Sequence, residues 1–347
     1  MSPKEARIEI ENLAKELENR KHEKSKTVLI LGSKAGAIFR NPRFYEEIAY
    51  FSLKTMAGFS ITEQFSEAYA TLIQEKSRNT LEDLRIFLTS AIGSVMHSAE
   101  DTNLAELVKQ ELFNTIFSLN MDDLLYNAFI RHEMKHHQDF ADFAFGPWKP
   151  ESVVQEIFNY TRPNICKLIR IYNDEQAFIY RLNNEKAHEE YSGCMRRLLE
   201  KWQVREVLIV GWDPTWDHML PSALPASLRT VWFVNEDENA KREFLVRYQS
   251  CELLYYTRAT YKSFCNGLLT QVAPDFISLH DFNRTALHDI QAMRQEVRDN
   301  QEQIERANKR IEAVQTTITS MREDIINELA KIHSEIRSLQ QKIDGLS

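Results

Sequence analysis

Short apolar runs rich in β-branched residues, set apart by long helical stretches, constrain this chain more than any other feature. The clearest is Val207-Leu208-Ile209-Val210, closed by Gly211. Thr27-Val28-Leu29-Ile30-Leu31, Leu112-Phe113-Asn114-Thr115-Ile116-Phe117, Val231-Trp232-Phe233-Val234 and Leu253-Leu254-Tyr255-Tyr256 are of the same kind. A strand without polar alternation is buried on both faces, which is the condition of a parallel sheet covered by helices. Strands alternating with helices predict an α/β fold with a doubly wound, mostly parallel, Rossmann-like sheet. Residues 165–171 and 177–180 read as further strands. Residues 3–24 read as a polar amphipathic helix with Ile8, Leu13 and Leu17 on one side, and 43–111 as a helical insertion carrying Leu81, Leu84, Leu88 and Ile92 at helical spacing. Phe140, Phe143, Phe145 and Trp148 read as a packed loop.

In such a sheet, ligands sit outside the carboxyl ends of the strands. The chain places polar residues there. Leu119-Asn120-Met121-Asp122-Asp123 follows the 112–119 strand, just before a helix begins. Asn120 can donate and accept hydrogen bonds at once, as a ribose or an activated water requires. Asp122 or Asp123 can cap the orphan amides of the next helix, and an Asx turn that only caps is the alternative. Glycine is scarce, nine residues in 347, so Gly32, Gly36 and Gly211, each just after an apolar run, stand out.

Composition narrows the classes. The hydrophobic fraction of 43% supports a real core, and a formal net charge of −8 argues against a general nucleic-acid binder. No apolar run reaches 18 residues, so no membrane span is expected. The charged N-terminus lacks the apolar core of a signal peptide. Cys166, Cys194, Cys251 and Cys265 form no CxxC pair, which predicts reduced thiols and a cytoplasmic protein.

From 288 to the end there is no proline or aromatic residue. Val297, Ile304, Ala307, Ile311, Val314, Ile318, Met321 and Ile325 recur in 3-4 spacing. A four-residue step to Leu329 interrupts the rhythm, which resumes through Ile332, Ile336, Leu339, Ile343 and Leu346. The interruption is a stutter in a coiled-coil pattern. A lone helix cannot bury such a stripe, so homo-oligomerisation or docking of a sensor or partner protein through 288–347 is expected. The expected organisation is an N-terminal helix (1–26), an α/β domain (27–275), a linker (276–287) and a coiled coil (288–347).

Four landmarks, in order, make the 27–275 region resemble the sirtuin-like domains of bacterial antiphage and conflict systems. Leu31-Gly32-Ser33-Lys34-Ala35-Gly36-Ala37 stands where that family has a Gly-Ala-Gly-type loop. Leu119-Asn120-Met121-Asp122-Asp123 matches its Thr-Asn-Tyr-Asp-Asp. Cys166-Lys167-Leu168-Ile169-Arg170 matches its Lys-Leu-His-Gly strand. Val210-Gly211-Trp212-Asp213-Pro214-Thr215-Trp216-Asp217 is close to its Gly-Tyr-Ser-x-x-Asp loop, with one extra residue. The resemblance implies NAD as substrate or ligand. It implies Asn120 and Asp122 as catalytic positions, and Gly32, Ser33, Lys34, Gly36, Gly211, Trp212, Asp213 and Asp217 as the lining of the nucleotide crevice. No metal-ligating residue is expected at this site.

The departures are specific. The family histidine falls on Ile169 and the glycine after it on Arg170, and isoleucine can relay no proton. Lys34 takes a glycine's place, either as a phosphate contact or as a surface lysine. The paired CxxC motifs of protein deacetylases are missing, so lysine deacetylation is not expected. His97, His132, His136 and His137 either substitute for the missing one or belong to a solvated, charged helix face or loop. Trp212 and Trp216 either stack on a ligand ring or pack in the core. His132-Glu133-Met134-Lys135-His136 also spells HExxH, which on one helix face ligates zinc, with Glu151 or Glu156 as third ligand. Three functions follow as expectations: an NAD-cleaving defence effector, a degenerate sirtuin-like scaffold or sensor, and a zinc hydrolase.

Overall fold

The computed structural model describes residues 4–22, 27–40, 73, 81–93, 98–146, 150–162, 165–172, 185–276 and most of 300–339. The chain forms two compact units, Met1–Ile277 and Ser278–Ser347. The expected strand at 177–180, most of the helical insertion, His97, Trp148 and the 277–287 part of the linker lie outside the described residues.

Among the described residues, the first unit is built on one eight-stranded sheet, parallel throughout. The strands are β1 (Lys4–Arg7), β2 (Val28–Leu31), β3 (Thr115–Ser118), β4 (Phe140–Ala144), β5 (Cys166–Arg170), β6 (Glu206–Val210), β7 (Thr230–Val234) and β8 (Leu253–Thr257). Their spatial order is β1-β8-β7-β6-β2-β3-β5-β4. The expected α/β, doubly wound, Rossmann-like architecture is therefore present.

Period-2 alternation assigns the side chains of each strand to two cores. Val28, Ile30, Phe117, Ile169, Val207, Ile209, Val231 and Phe233 face one side. There they meet Leu84, Leu88, Val154, Ile157, Tyr191, Leu198 and Phe244 of the covering helices. Leu29, Leu31, Ile116, Leu168, Leu208, Val210 and Trp232 face the other side. They pack on the Ile10–His22, Ala99–Lys109, Leu124–Arg131 and Tyr261–Val272 helices through Leu13, Leu17, Leu104, Leu107, Phe129, Phe264 and Leu268. Burial on both faces explains why these strands read as unbroken apolar runs.

Two segments depart from the expectation. Residues 4–7 open the chain as an edge strand paired with β8, Lys4 beside Leu253 and Arg7 beside Tyr256, and the helix starts only at Ile10. Lys4-Glu5-Ala6-Arg7 is mostly exposed, so no apolar signal marks it, and charge on an edge discourages further pairing. Residues 140–144, expected as part of a packed loop, form the opposite edge strand against β5. Phe140 and Phe143 are buried there on opposite faces.

In the second unit, residues 320–339 are helical throughout. Ile304, Ile311, Val314, Ile318, Met321, Ile325, Leu329, Ile332, Ile336 and Leu339 are all exposed. The described part of the apolar stripe therefore lies open along this chain, and Val297, Ala307, Ile343 and Leu346 lie outside the described residues. No helix among the described residues is long and apolar enough to cross a membrane. The four cysteines are buried free thiols.

Candidate functional site

The chain leaves β2 toward β3 on one side and, after β5, crosses back to β6 on the other. The carboxyl ends of β2 and β6 therefore frame the switch point where a crevice is expected in this topology. Three loops meet there, following β2 (32–36), β3 (119–123) and β6 (211–217). The structure thus brings together Gly32, Ser33, Lys34, Gly36, Asn120, Asp122, Gly211, Asp213 and Asp217.

Asp217 organises the centre. Its side chain is buried, and it receives the Ser33 amide at 2.8 Å, the Ser33 hydroxyl at 2.5 Å and the Asp213 amide at 2.8 Å. Burial pushes the Asp217 carboxyl up to about 7, against those donors, which favour its charged form, while nearby Asp213 adds to the rise. Asp213 in turn accepts the amides of Thr215 at 2.9 Å and Trp216 at 3.1 Å, an Asx-type brace of the loop.

Asp122 is half-buried and joins the β3 loop to the β2 loop. It accepts the Ala37 amide at 2.7 Å and, on its own loop, the Leu124 amide at 3.2 Å. Burial raises its carboxyl above the usual carboxylate range, opposed chiefly by the Ala37 amide and by Arg40. Asn120 is buried and turns its amide nitrogen to the Gly32 carbonyl at 3.3 Å. Its side-chain oxygen lies 2.2 Å from where a Cβ on residue 36 would stand. Gly36 has an ordinary backbone conformation, φ −91, so what excludes a side chain there is Asn120 itself. Gly211 is different: its φ of +71 is the left-handed region that glycine adopts without strain.

The backbone donors of the β2 loop can be followed one by one. Gly32 donates to Val210, Lys34 to Gly211, Ala35 to Gly32 and Gly36 to Ser33, all backbone carbonyls. Ser33 donates to Asp217 and Ala37 to Asp122. Every amide from Gly32 to Ala37 therefore has a protein acceptor. In a dinucleotide loop, glycines let the backbone approach the pyrophosphate and present amides to it. Here the space beside Gly32 and Gly36 is filled by Asp217, Gly211 and Asn120, and the amides are taken. The residues in this arrangement do not fit a pyrophosphate held by the loop backbone.

Trp212 is fully buried, with its indole N–H on the Asp217 carbonyl at 2.9 Å and its ring edge-on to Phe233 and Phe244. Trp216 is buried in the same core. Core packing, one of the two readings of these tryptophans, is what the structure contains. Ile169 is wholly buried beside Phe117 and Phe143 in register. Arg170 reaches out of β5 to grip Asp142 through two bonds, at 2.9 and 2.7 Å, and also pairs with Asp123. Lys34 is half-exposed.

The HExxH geometry is not formed. The helix that would carry it ends at Arg131, His132 is its C-cap, and Glu133 has φ +60. His132 pairs with Glu106 at 2.8 Å, whereas His136 accepts the Asp142 amide at 3.2 Å and lies against the His137 ring, tilted to it. The two histidines thus make separate contacts rather than sharing one helical turn. Glu151 pairs with Arg197, and Glu156 is exposed. Among the described residues, no group of three or more His, Cys, Asp or Glu is placed to hold a metal ion.

Two contributors were not singled out in the sequence. Asn235, at the end of β7, holds the β6 loop by donating to the Trp212 carbonyl at 2.7 Å, and its own carbonyl receives the Tyr256 hydroxyl at 3.0 Å. An asparagine directly after an apolar run is the same signal that marked Asn120. Arg40 ties the β2 loop to the Ala99–Lys109 helix through Ser98 and Asp101, both at 2.8 Å, and stacks on Tyr261. Nothing local in the sequence pairs those residues.

No family model matches the chain, and no curated protein does. Among solved structures, it is similar to a conserved protein from Methanococcus maripaludis S2 described as LOR/SDH. The identity is 10%, the TM-score 0.35, and the match covers 78% of this chain and 73% of that one.

Proposed function

We propose that this protein is a degenerate sirtuin-like scaffold or sensor that self-associates through its C-terminal helix and does not cleave NAD. One observation carries the reading. All amides from Gly32 to Ala37 are bonded to protein acceptors, so the loop offers none to a pyrophosphate. Ile169 in the place of the family histidine supports it, because isoleucine cannot move a proton. The exposed stripe from Ile304 to Leu339 supports self-association, since an apolar face of that length is stabilised by a second copy. The defence-system role rests on the four ordered landmarks alone.

One experiment reads both parts. Full-length protein is incubated with NAD at micromolar concentration and passed over a sizing column with light-scattering detection. The expected result is a mass at least twice the 40.7 kDa of the chain and no nicotinamide in the small-molecule fraction. A monomer mass contradicts the assembly. Nicotinamide release that disappears in Asn120→Ala contradicts the degenerate reading and restores the NAD-cleaving one.

A further inference from the structure

The Ser33 amide, the Ser33 hydroxyl and the Asp213 amide converge from two loops on a single carboxylate. They do so at the switch point of the sheet, where this topology binds anionic groups. We propose that Asp217 is a built-in plug: its carboxylate holds the place of a ligand phosphate, in an anion site that the fold retains but the chain itself occupies. The inference deepens the reading of a closed crevice and rests on it.

Three features support the plug over ordinary loop bracing. The donors come from both sides of the crevice, Ser33 being 184 positions from Asp217 along the chain. A turn within one loop needs no such partner. Asp217 Oδ2 also lies 2.7 Å from where a Cβ on residue 32 would stand, so the carboxylate fills the approach that a glycine leaves open in a phosphate loop. Finally, the 211–217 loop is held independently of this carboxylate. The Asp217 amide donates to the Asp213 carbonyl at 2.8 Å, Trp212 Nε1 donates to the Asp217 carbonyl, and Asn235 donates to Trp212. Removing the carboxylate would therefore leave the loop in place and expose three donors around a carboxylate-sized space. Burial disfavours the charged form of this group, so the donors are what keep the plug seated.

The test is the thermal midpoint of full-length Asp217→Ala against wild type. Inorganic phosphate is raised from zero to 100 mM while chloride holds the ionic strength constant. The expected result is a phosphate-dependent rise of about 3 °C or more in Asp217→Ala, with no such rise in wild type. Asp217→Asn, which keeps the space filled, should behave like wild type. If Asp217→Ala is unfolded in chloride, the folded fraction regained with phosphate becomes the readout. No variant-specific response, or an equal response in Asp217→Asn, overturns the plug. Formate serves as the second probe: stabilisation by formate without phosphate would mean a site fitted to a carboxylate only, which also contradicts the proposal. A phosphate-blind Asp217→Ala beside a wild type that ignores NAD would sink the plug alone. A wild type that takes NAD would sink the closed crevice itself.

Discussion

Gly32→Ala is expected to lower stability by about 3 kcal/mol, at the upper end of overpacking effects. In a domain of this size that is a fall in thermal midpoint of roughly 6 °C or more. A Cβ at residue 32 would stand 2.5 Å from the Gly211 carbonyl oxygen, 2.7 Å from Asp217 Oδ2 and 2.7 Å from the Trp212 Cα. Two of these atoms are backbone, so no rotamer change relieves the clash. The Gly32 amide, bonded to Val210 at 2.9 Å, ties the two loops together, and separating them would break the join between β2 and β6. Gly146→Ala is the control, because a Cβ there meets nothing within 4 Å. Thermal melts that do not separate the two variants would mean the loops are not in close contact.

The second large effect concerns Ile169 and Arg170, where the proposed sirtuin-like pattern has histidine and glycine. Ile169→His with Arg170→Gly would rewrite the β5 end toward the family pattern. The structure predicts loss rather than restoration. Arg170 is largely buried and paired with Asp142, which is equally buried. Removing one partner of such a pair strands the other charge, at a cost of about 3–5 kcal/mol. Ile169 lies between Phe117 and Phe143 in register, with no exposed surface, so a histidine there buries a polar ring among apolar neighbours. The double variant is expected to melt at least 10 °C below wild type, given about 2–4 °C per kcal/mol, and to release no nicotinamide. A stable variant that cleaves NAD would show instead that the site is only two residues from activity.

The legible and illegible parts of this chain divide on physical grounds. β2, β6 and β7 are readable because burial on both faces demands unbroken apolar runs. β1 is not, because Lys4–Arg7 has exposed side chains and becomes a strand only through its pairing with β8 near the far end of the unit. β4 was obscured by Asp142, whose charge is neutralised by Arg170 from the neighbouring strand. At the site, the positions were legible and their roles were not. Gly32, Gly36, Asn120 and Asp217 do gather at one crevice. The sequence suggested that the glycines make room for a ligand, whereas the room at Gly36 is taken by Asn120 and that at Gly32 by Gly211 and Asp217. Neither contact is local in sequence, so no window along the chain could have revealed it. The HExxH motif failed for the opposite reason. Its spacing is local, but the helix that would give the spacing meaning stops one residue before His132.

Calorimetry distinguishes a crevice closed by the protein's own groups from one open to a nucleotide. NAD and then ADP-ribose would be titrated into wild-type full-length protein. A closed crevice gives no saturable heat for either ligand up to millimolar concentration. A saturable isotherm for either one, lost in Asn120→Ala, would contradict it.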